Sequence, residues 1–259
     1  MLNLIKNEKK VTIDSGELVG YNVDGHEFIH QKGSPGWRNS DTEMFPIIGP
    51  TQAANFRVET ANGVALQDQH GLLRELNYEL AHHTETSAIF IKKYVAGSEV
   101  KNSKFPDKST EEHLSWPYSF EFLKSYHLNE GGLTVQFEIK GEEGMPFMLG
   151  YHPAFKLHTA NPVVIAGNKT VSLDQILAVG NRALPILDCN ILTLSDGKKL
   201  TIKTEGFEHF MLWTEVSNMV CLEPITFYPY NVAQSQLHAG FQKLKNSGNI
   251  FKVIIETNN

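Results

Sequence analysis

The chain has 259 residues, 41% of them hydrophobic and 20% charged, which is enough apolar material for a large core and excludes a disordered chain. Its formal net charge of −6 argues against a nucleic-acid partner or an anionic membrane surface, since both need a concentrated positive field, and leaves a neutral or weakly anionic small ligand open. The two cysteines, Cys189 and Cys221, have no C-x-x-C spacing, so we expect no disulfide framework, no zinc site, and a reduced, cytoplasmic setting.

In chain order, residues 1–10 are broken by Lys6, Lys9 and Lys10 and lack the apolar core of a signal peptide. No apolar run approaches the roughly 18 residues of a membrane-spanning helix. Residues 10–13, 17–23 and 27–31 read as strands, with Asp24-Gly25 as a hairpin signal between the last two. Residues 32–41 read as a polar loop presenting Trp37, either a lid over the core or a stacking platform for a sugar ring. The apolar run 44–50 holds too much proline for a central strand and reads as an edge or pocket wall.

Residues 56–60 and 64–66 flank Asn62-Gly63, a second hairpin signal. Beyond them, His70, Gly71 and Arg74 share a loop. There Gly71 allows backbone to approach a ligand, and Arg74 offers fixed donors for hydroxyl or phosphate oxygens. Residues 87–95 read as a strand and 97–115 as a polar loop excursion. The clearest hairpin joins 117–128 to 132–140, with Leu133, Val135, Phe137 and Ile139 on one face.

After His152 the strands weaken, and Ser172 with Gln175 fits the capping box of a short helix. Asp196-Gly197 marks a hairpin. Residues 207–213 and 219–222 read as a strand pair running into Glu223, and alternation places Cys221 on the same face as Glu223. Leu237, Phe241 and Leu244 have helical spacing, and 251–256 closes the chain as a strand. Short strands with turn chemistry between them predict an all-β fold, a large antiparallel β-sandwich forming a single domain over 1–259.

His152 and Glu223 each follow an apolar run and stand directly before a proline. Proline biases the preceding residue to extended backbone, so both read as strand termini opening onto a cleft. Alone, each has an ordinary reading, a structural histidine and a surface charge at a strand end. Together they form a candidate catalytic acid–base pair, because weakly polar surroundings shift both pKa values, and groups tuned towards neutrality are what general acid–base chemistry requires. The sequence holds no phosphate loop, H-E-x-x-H, G-x-S-x-G or dinucleotide fingerprint. His26/His30 and His82-His83 lack cysteine or acidic partners at ligand spacing, so we expect no metal.

Five runs, F-P-I-I-G at 45–49, Q-H-G-x-x-R at 69–74, G-Y-H-P-A-F at 150–155, L-W-T at 212–214 and C-L-E-P at 221–224, resemble in their order the motifs of the aldose 1-epimerase (galactose mutarotase-like) superfamily, in particular its hexose mutarotase-related branch. The resemblance implies a two-layer β supersandwich with a sugar-binding cleft. It implies His152 as the acid that protonates the ring oxygen, Glu223 as the base at the anomeric hydroxyl, and His70 as a substrate contact. It also implies a small-molecule sugar substrate and no metal or organic cofactor; we expect a monomer or weak dimer. The sequence departs from the pattern at Pro50, where many mutarotases carry an arginine, and over 225–230, where Trp-x-Gly is missing. Gly49-Pro50 is instead similar to the hexose-6-phosphate epimerases, in which the arginine matching Arg74 helps hold phosphate. The expected activity is interconversion of the α and β anomers of a hexose. A hexose-6-phosphate 1-epimerase and a non-catalytic carbohydrate-binding protein are the alternatives.

Overall fold

A computed structural model describes residues 1–258 of the chain. Its largest element is a nine-stranded antiparallel sheet centred on Gly132–Gly141, which pairs with Phe120–Asn129 on one side and Asn249–Asn258 on the other. Alternation in Gly132–Gly141 turns Leu133, Val135, Phe137 and Ile139 inward, and all four are completely buried. A six-stranded sheet lies across this face, with Phe137 packed on Tyr151 at 5.0 Å and Phe122 on Phe45 at 5.3 Å between ring centroids. One hydrophobic cluster runs from Leu4 to Ile255. The fold is thus an all-β antiparallel sandwich of two layers, with a four-stranded sheet of residues 2–27 beside them.

The expected Asp24-Gly25 turn joins Glu17–Val23 to His26–Glu27, with both turn residues at positive φ. The capping box is present, and Ser172 and Gln175 open the helix Leu173–Leu177. Three expectations are corrected. The second hairpin pairs Thr60 with Gly63, so its two-residue loop is Ala61-Asn62, one position earlier than Asn62-Gly63. Residues 97–115 are not a free excursion: Asn102 Nδ2 donates to Asp68 Oδ2 at 3.1 Å and Lys104 Nζ to Asp68 Oδ1 at 2.8 Å, tying the segment to the loop that carries His70. Leu237, Phe241 and Leu244 belong to no α-helix, since Gln234–Gly240 is a 3₁₀ segment followed by the short strand Gln242–Lys243.

Two strands carry no clear sequence signal. Leu2–Lys6 turns only Leu4 inward, and Glu79–His83 is exposed along its whole length. Each therefore lacks the alternation that announces a half-buried strand.

Candidate active site

The strand Met219–Ile225 crosses the six-stranded sheet, and the segments Gly150–Tyr151 and Ala154–Lys156 both lie antiparallel to it. Gly150 pairs with Ile225 and Ala154 with Cys221, so one register runs through the gap and sets His152 opposite Glu223. Neither residue is a strand terminus in the expected sense. Glu223 lies inside its strand, and His152 occupies a break between two short ones.

Both prolines explain that break. His152 exchanges backbone hydrogen bonds with Thr42 on its other side, at 2.8 and 3.2 Å. Its neighbours must therefore supply the bonds towards Met219–Ile225. Tyr151 faces Pro224, which has no N–H to give, and Pro153 faces Leu222 but only accepts, from Leu222 N at 3.4 Å. The ladder loosens on both sides of one cross-strand pair, and a non-hydrogen-bonded antiparallel pair holds its side chains closest. Here His152 Nε2 lies 3.4 Å from Glu223 Oε1.

The pair forms the floor of a cavity of about 1330 Å³. Trp37 from the polar loop stacks on the His152 ring at 4.3 Å and 26°, and Trp213 meets that ring edge-on at 5.9 Å. His70 approaches it at 5.8 Å, edge to face. Arg74 also lines the cavity. All four residues named from sequence, His70, Arg74, His152 and Glu223, thus meet in one place.

Their loop is held by Gly71. At φ +74°, a Cβ there would fall 2.2 Å from the Phe45 carbonyl oxygen. The close approach expected of Gly71 is therefore made to the 44–50 segment rather than to a ligand. His70 N donates to Ile48 O, Phe45 N to His70 O and Leu73 N to Phe45 O, each at 3.1 Å. The 44–50 run accordingly acts as a wall, and Ile48, Gly49 and Pro50 line the cavity. Gly49 is required by packing, because a Cβ there would sit 2.4 Å from Pro229.

Burial sets the electrostatics. It pushes the Glu223 carboxyl up to about 8, against the opposing pull of Arg74. It pushes the His152 imidazole down to about 3, with Arg74 adding to the effect. The His70 imidazole is held well below its ordinary value, first by burial and then by Arg74. Arg74 itself is lowered to about 10 by burial. Among the described residues, His70 Nδ1, His152 Nδ1, Arg74 Nε and Arg74 Nη2 are buried with no hydrogen-bond partner. Such groups are costly unless something fills the cavity and satisfies them.

Sequence reasoning missed part of the rim. Arg182, Lys104 and Lys108 line the cavity; only their sign could have marked them, since no motif holds them. Arg57 is exposed on its strand and absent from the lining. Tyr230 does reach the cavity, with the Arg182 guanidinium 5.1 Å above its ring. Cys221 is completely buried beside Ala154 and Met219, and one ligating atom each from His152, Cys221 and Glu223 lies within 4.8 Å of the others. That grouping was invisible to a search for metal ligands by spacing.

The profile of the family described as aldose 1-epimerase matches residues 57–215, more than half of the chain. The chain belongs to the aldose 1-epimerase family. The matched span holds His70, Arg74 and His152 and ends before Glu223. No curated protein matches in sequence. Solved structures share the fold: a galactose mutarotase-like protein from Lactobacillus casei is 15% identical with all of both chains covered and a TM-score of 0.78. A galactose mutarotase related enzyme from Lactobacillus acidophilus is 20% identical over 100% of this chain and 99% of its own, at a TM-score of 0.73. The GalM/aldose epimerase homologue from C. elegans is 10% identical over 100% and 98%, at 0.68. Identities this low speak for the fold alone. Membership in the aldose 1-epimerase family supports an isomerase of the epimerase type, and no described helix is long and apolar enough to cross a membrane.

Proposed function

We propose that this aldose 1-epimerase family member interconverts the α and β anomers of a free hexose, with His152 and Glu223 as the proton-transferring pair. The supporting observation is their 3.4 Å separation on the cavity floor. The anomeric hydroxyl and the ring oxygen of a pyranose share one carbon, so groups this close can each reach one of them. One member protonates the ring oxygen while the other takes the hydroxyl proton, and the C1–ring oxygen bond breaks to leave an open-chain aldehyde. Rotation about C1–C2 followed by the reverse transfers closes the other anomer. The resemblance assigns the acid to His152 and the base to Glu223. His70 and Arg74, with their unpaired buried atoms, are the substrate's hydrogen-bonding partners, and Trp37 forms an apolar wall over His152. No cofactor is called for by this chemistry. The continuous core supports a single domain.

Saturation-transfer NMR on a panel of aldoses tests the reading. Faster exchange than in buffer for at least one free hexose is expected; no acceleration for any sugar, with binding intact, would leave a carbohydrate-binding protein instead.

A second reading, hexose 6-phosphate as substrate, is favoured by the rim. Arg38, Arg74 and Arg182 line the cavity, and none of them makes a salt bridge among the described residues. Free arginines are ready partners for a phosphate dianion.

A further inference from the structure

We infer that His152, Cys221 and Glu223 form a site for a zinc-like divalent ion, and that occupancy of this site switches the protein off. Cys221 and Glu223 are two residues apart on one strand and face the same side, while His152 projects from the neighbouring segment directly opposite Glu223. Three ligand types suited to zinc thus converge from two paired segments of one sheet. One atom from each lies within 4.8 Å of the others.

The 3.4 Å between His152 Nε2 and Glu223 Oε1 is long for a hydrogen bond, and the pair makes none. It equals the edge of a tetrahedron whose corners lie about 2.0–2.1 Å from its centre, the usual zinc–nitrogen and zinc–oxygen distances. A thiolate corner at about 2.3 Å needs an edge of roughly 3.5 Å, so from within 4.8 Å Cys221 has at most about 1.3 Å to close. Three protein ligands leave the fourth corner open for a water or a substrate atom. The cavity is also the entry path, because His152 and Glu223 line it. A buried thiol among apolar neighbours has no other polar role on that face, and a thiolate selects zinc or cobalt over magnesium or calcium.

A bound ion would occupy the imidazole nitrogen and carboxylate that the proposed reaction needs for proton transfer. The loss of activity therefore rests on the acid–base reading, whereas metal binding does not, and the experiment separates the two. Cobalt(II) is titrated into the intact protein, followed by absorbance, and zinc inhibition of sugar exchange is measured in parallel. Expected is one cobalt per chain with a near-ultraviolet thiolate-to-metal band, zinc inhibition that a chelator reverses, and both retained in Cys189→Ala. Cys221→Ala should keep its basal exchange rate, lose the band and bind zinc at least about 100-fold more weakly, since even outer-shell changes cost 10–100-fold. Cys221→Ser, closer in size, guards against a packing defect and should also lose the band. A band that persists in Cys221→Ala, or one that vanishes in Cys189→Ala, overturns the site. Cobalt bound with the expected band but no zinc inhibition keeps the site and overturns the switch. Cobalt bound to a protein that turns over no sugar keeps the site and overturns the proposed function.

Discussion

At the scale of single residues, the His152/Glu223 pair holds one proton over a broad range, because burial has spread the two pKa values to about 3 and about 8. Between those values Glu223 holds the proton and His152 is neutral, so in the free protein the donor is Glu223 and the acceptor is His152, the reverse of the roles the resemblance implies. Above about pH 8 Glu223 loses its proton and both members become acceptors, so kcat/KM should fall there, while no acid limb from this pair should appear above about pH 4. Glu223→Gln and His152→Asn should each slow exchange by about 10²–10⁴ fold with sugar affinity within a few fold, and the double variant should lose less than the product of the two. A single variant with full activity, read by saturation-transfer NMR, would remove that residue from the mechanism. The same raised pKa makes a stability statement. A carboxyl that binds its proton more tightly when folded stabilises the fold fully below its unfolded value near 4.5, and that contribution is lost as pH rises through about 8. Glu223→Gln should therefore melt on the order of 5 °C above the parent at pH 9 and match it at pH 4. Equal melting temperatures at pH 9 would mean that Glu223 is not desolvated. These two residues were legible because each stands before a proline after an apolar run. Their mutual contact was not, since it depends on a register between segments far apart in the chain.

At the scale of elements, the site depends on a buried ion cluster between the two layers. Lys124, from the strand Phe120–Asn129, places Nζ 2.8 Å from Asp41 Oδ2 and 2.6 Å from Glu43 Oε1, the latter an ion contact rather than an aligned hydrogen bond. Tyr151 donates to Asp41 at 2.7 Å, and Asp41 also accepts from Leu18 N. Between the two carboxylates lies Thr42, whose backbone pairs with His152. The cluster thus anchors the segment that aligns His152. Lys124→Met should leave two buried carboxylates without the cation that pairs them and cost about 3–5 kcal/mol in urea unfolding at pH 7, against well under 1 kcal/mol for an exposed lysine such as Lys93. A small loss would show that water already reaches the cluster. Gly71→Ala should likewise destabilise by about 1–3 kcal/mol, from its positive φ and the Phe45 carbonyl, and should raise KM more than it lowers kcat by displacing His70 and Arg74. Unchanged KM would detach that loop from substrate. The hairpins and the inward row of Gly132–Gly141 could be read from alternation and turn residues. The ion cluster could not: Asp41, Glu43 and Lys124 each look like surface charges until the layers close on them.

For the molecule as a whole, the sign of charge is not uniform. The chain carries −6 overall, yet the cavity is lined by Arg38, Arg74, Lys104, Lys108 and Arg182 against Asp107, Glu215 and Glu223. Lys104 is engaged with Asp68, and Glu223 holds its proton below about pH 8, so Arg38, Arg74, Lys108 and Arg182 face only Asp107 and Glu215, a modest local positive excess. A negative molecule repels an anion at long range and attracts it only within about a Debye length of the cavity mouth, about 8 Å at physiological ionic strength. Net charge read from sequence said nothing about this local patch, which forms only when residues 38, 74, 104 and 182 are folded together. A neutral hexose feels neither field. We expect free glucose to show the higher kcat/KM, unchanged between low and high salt, and glucose 6-phosphate to show a lower value that falls further as salt rises. Exchange rates for both sugars at two salt concentrations, in the parent, Arg74→Ala and Arg182→Ala, make the comparison. If the phosphate turns over faster than glucose, and that advantage disappears with high salt and in Arg74→Ala, the preferred substrate is the sugar phosphate and the neutral-hexose reading is wrong.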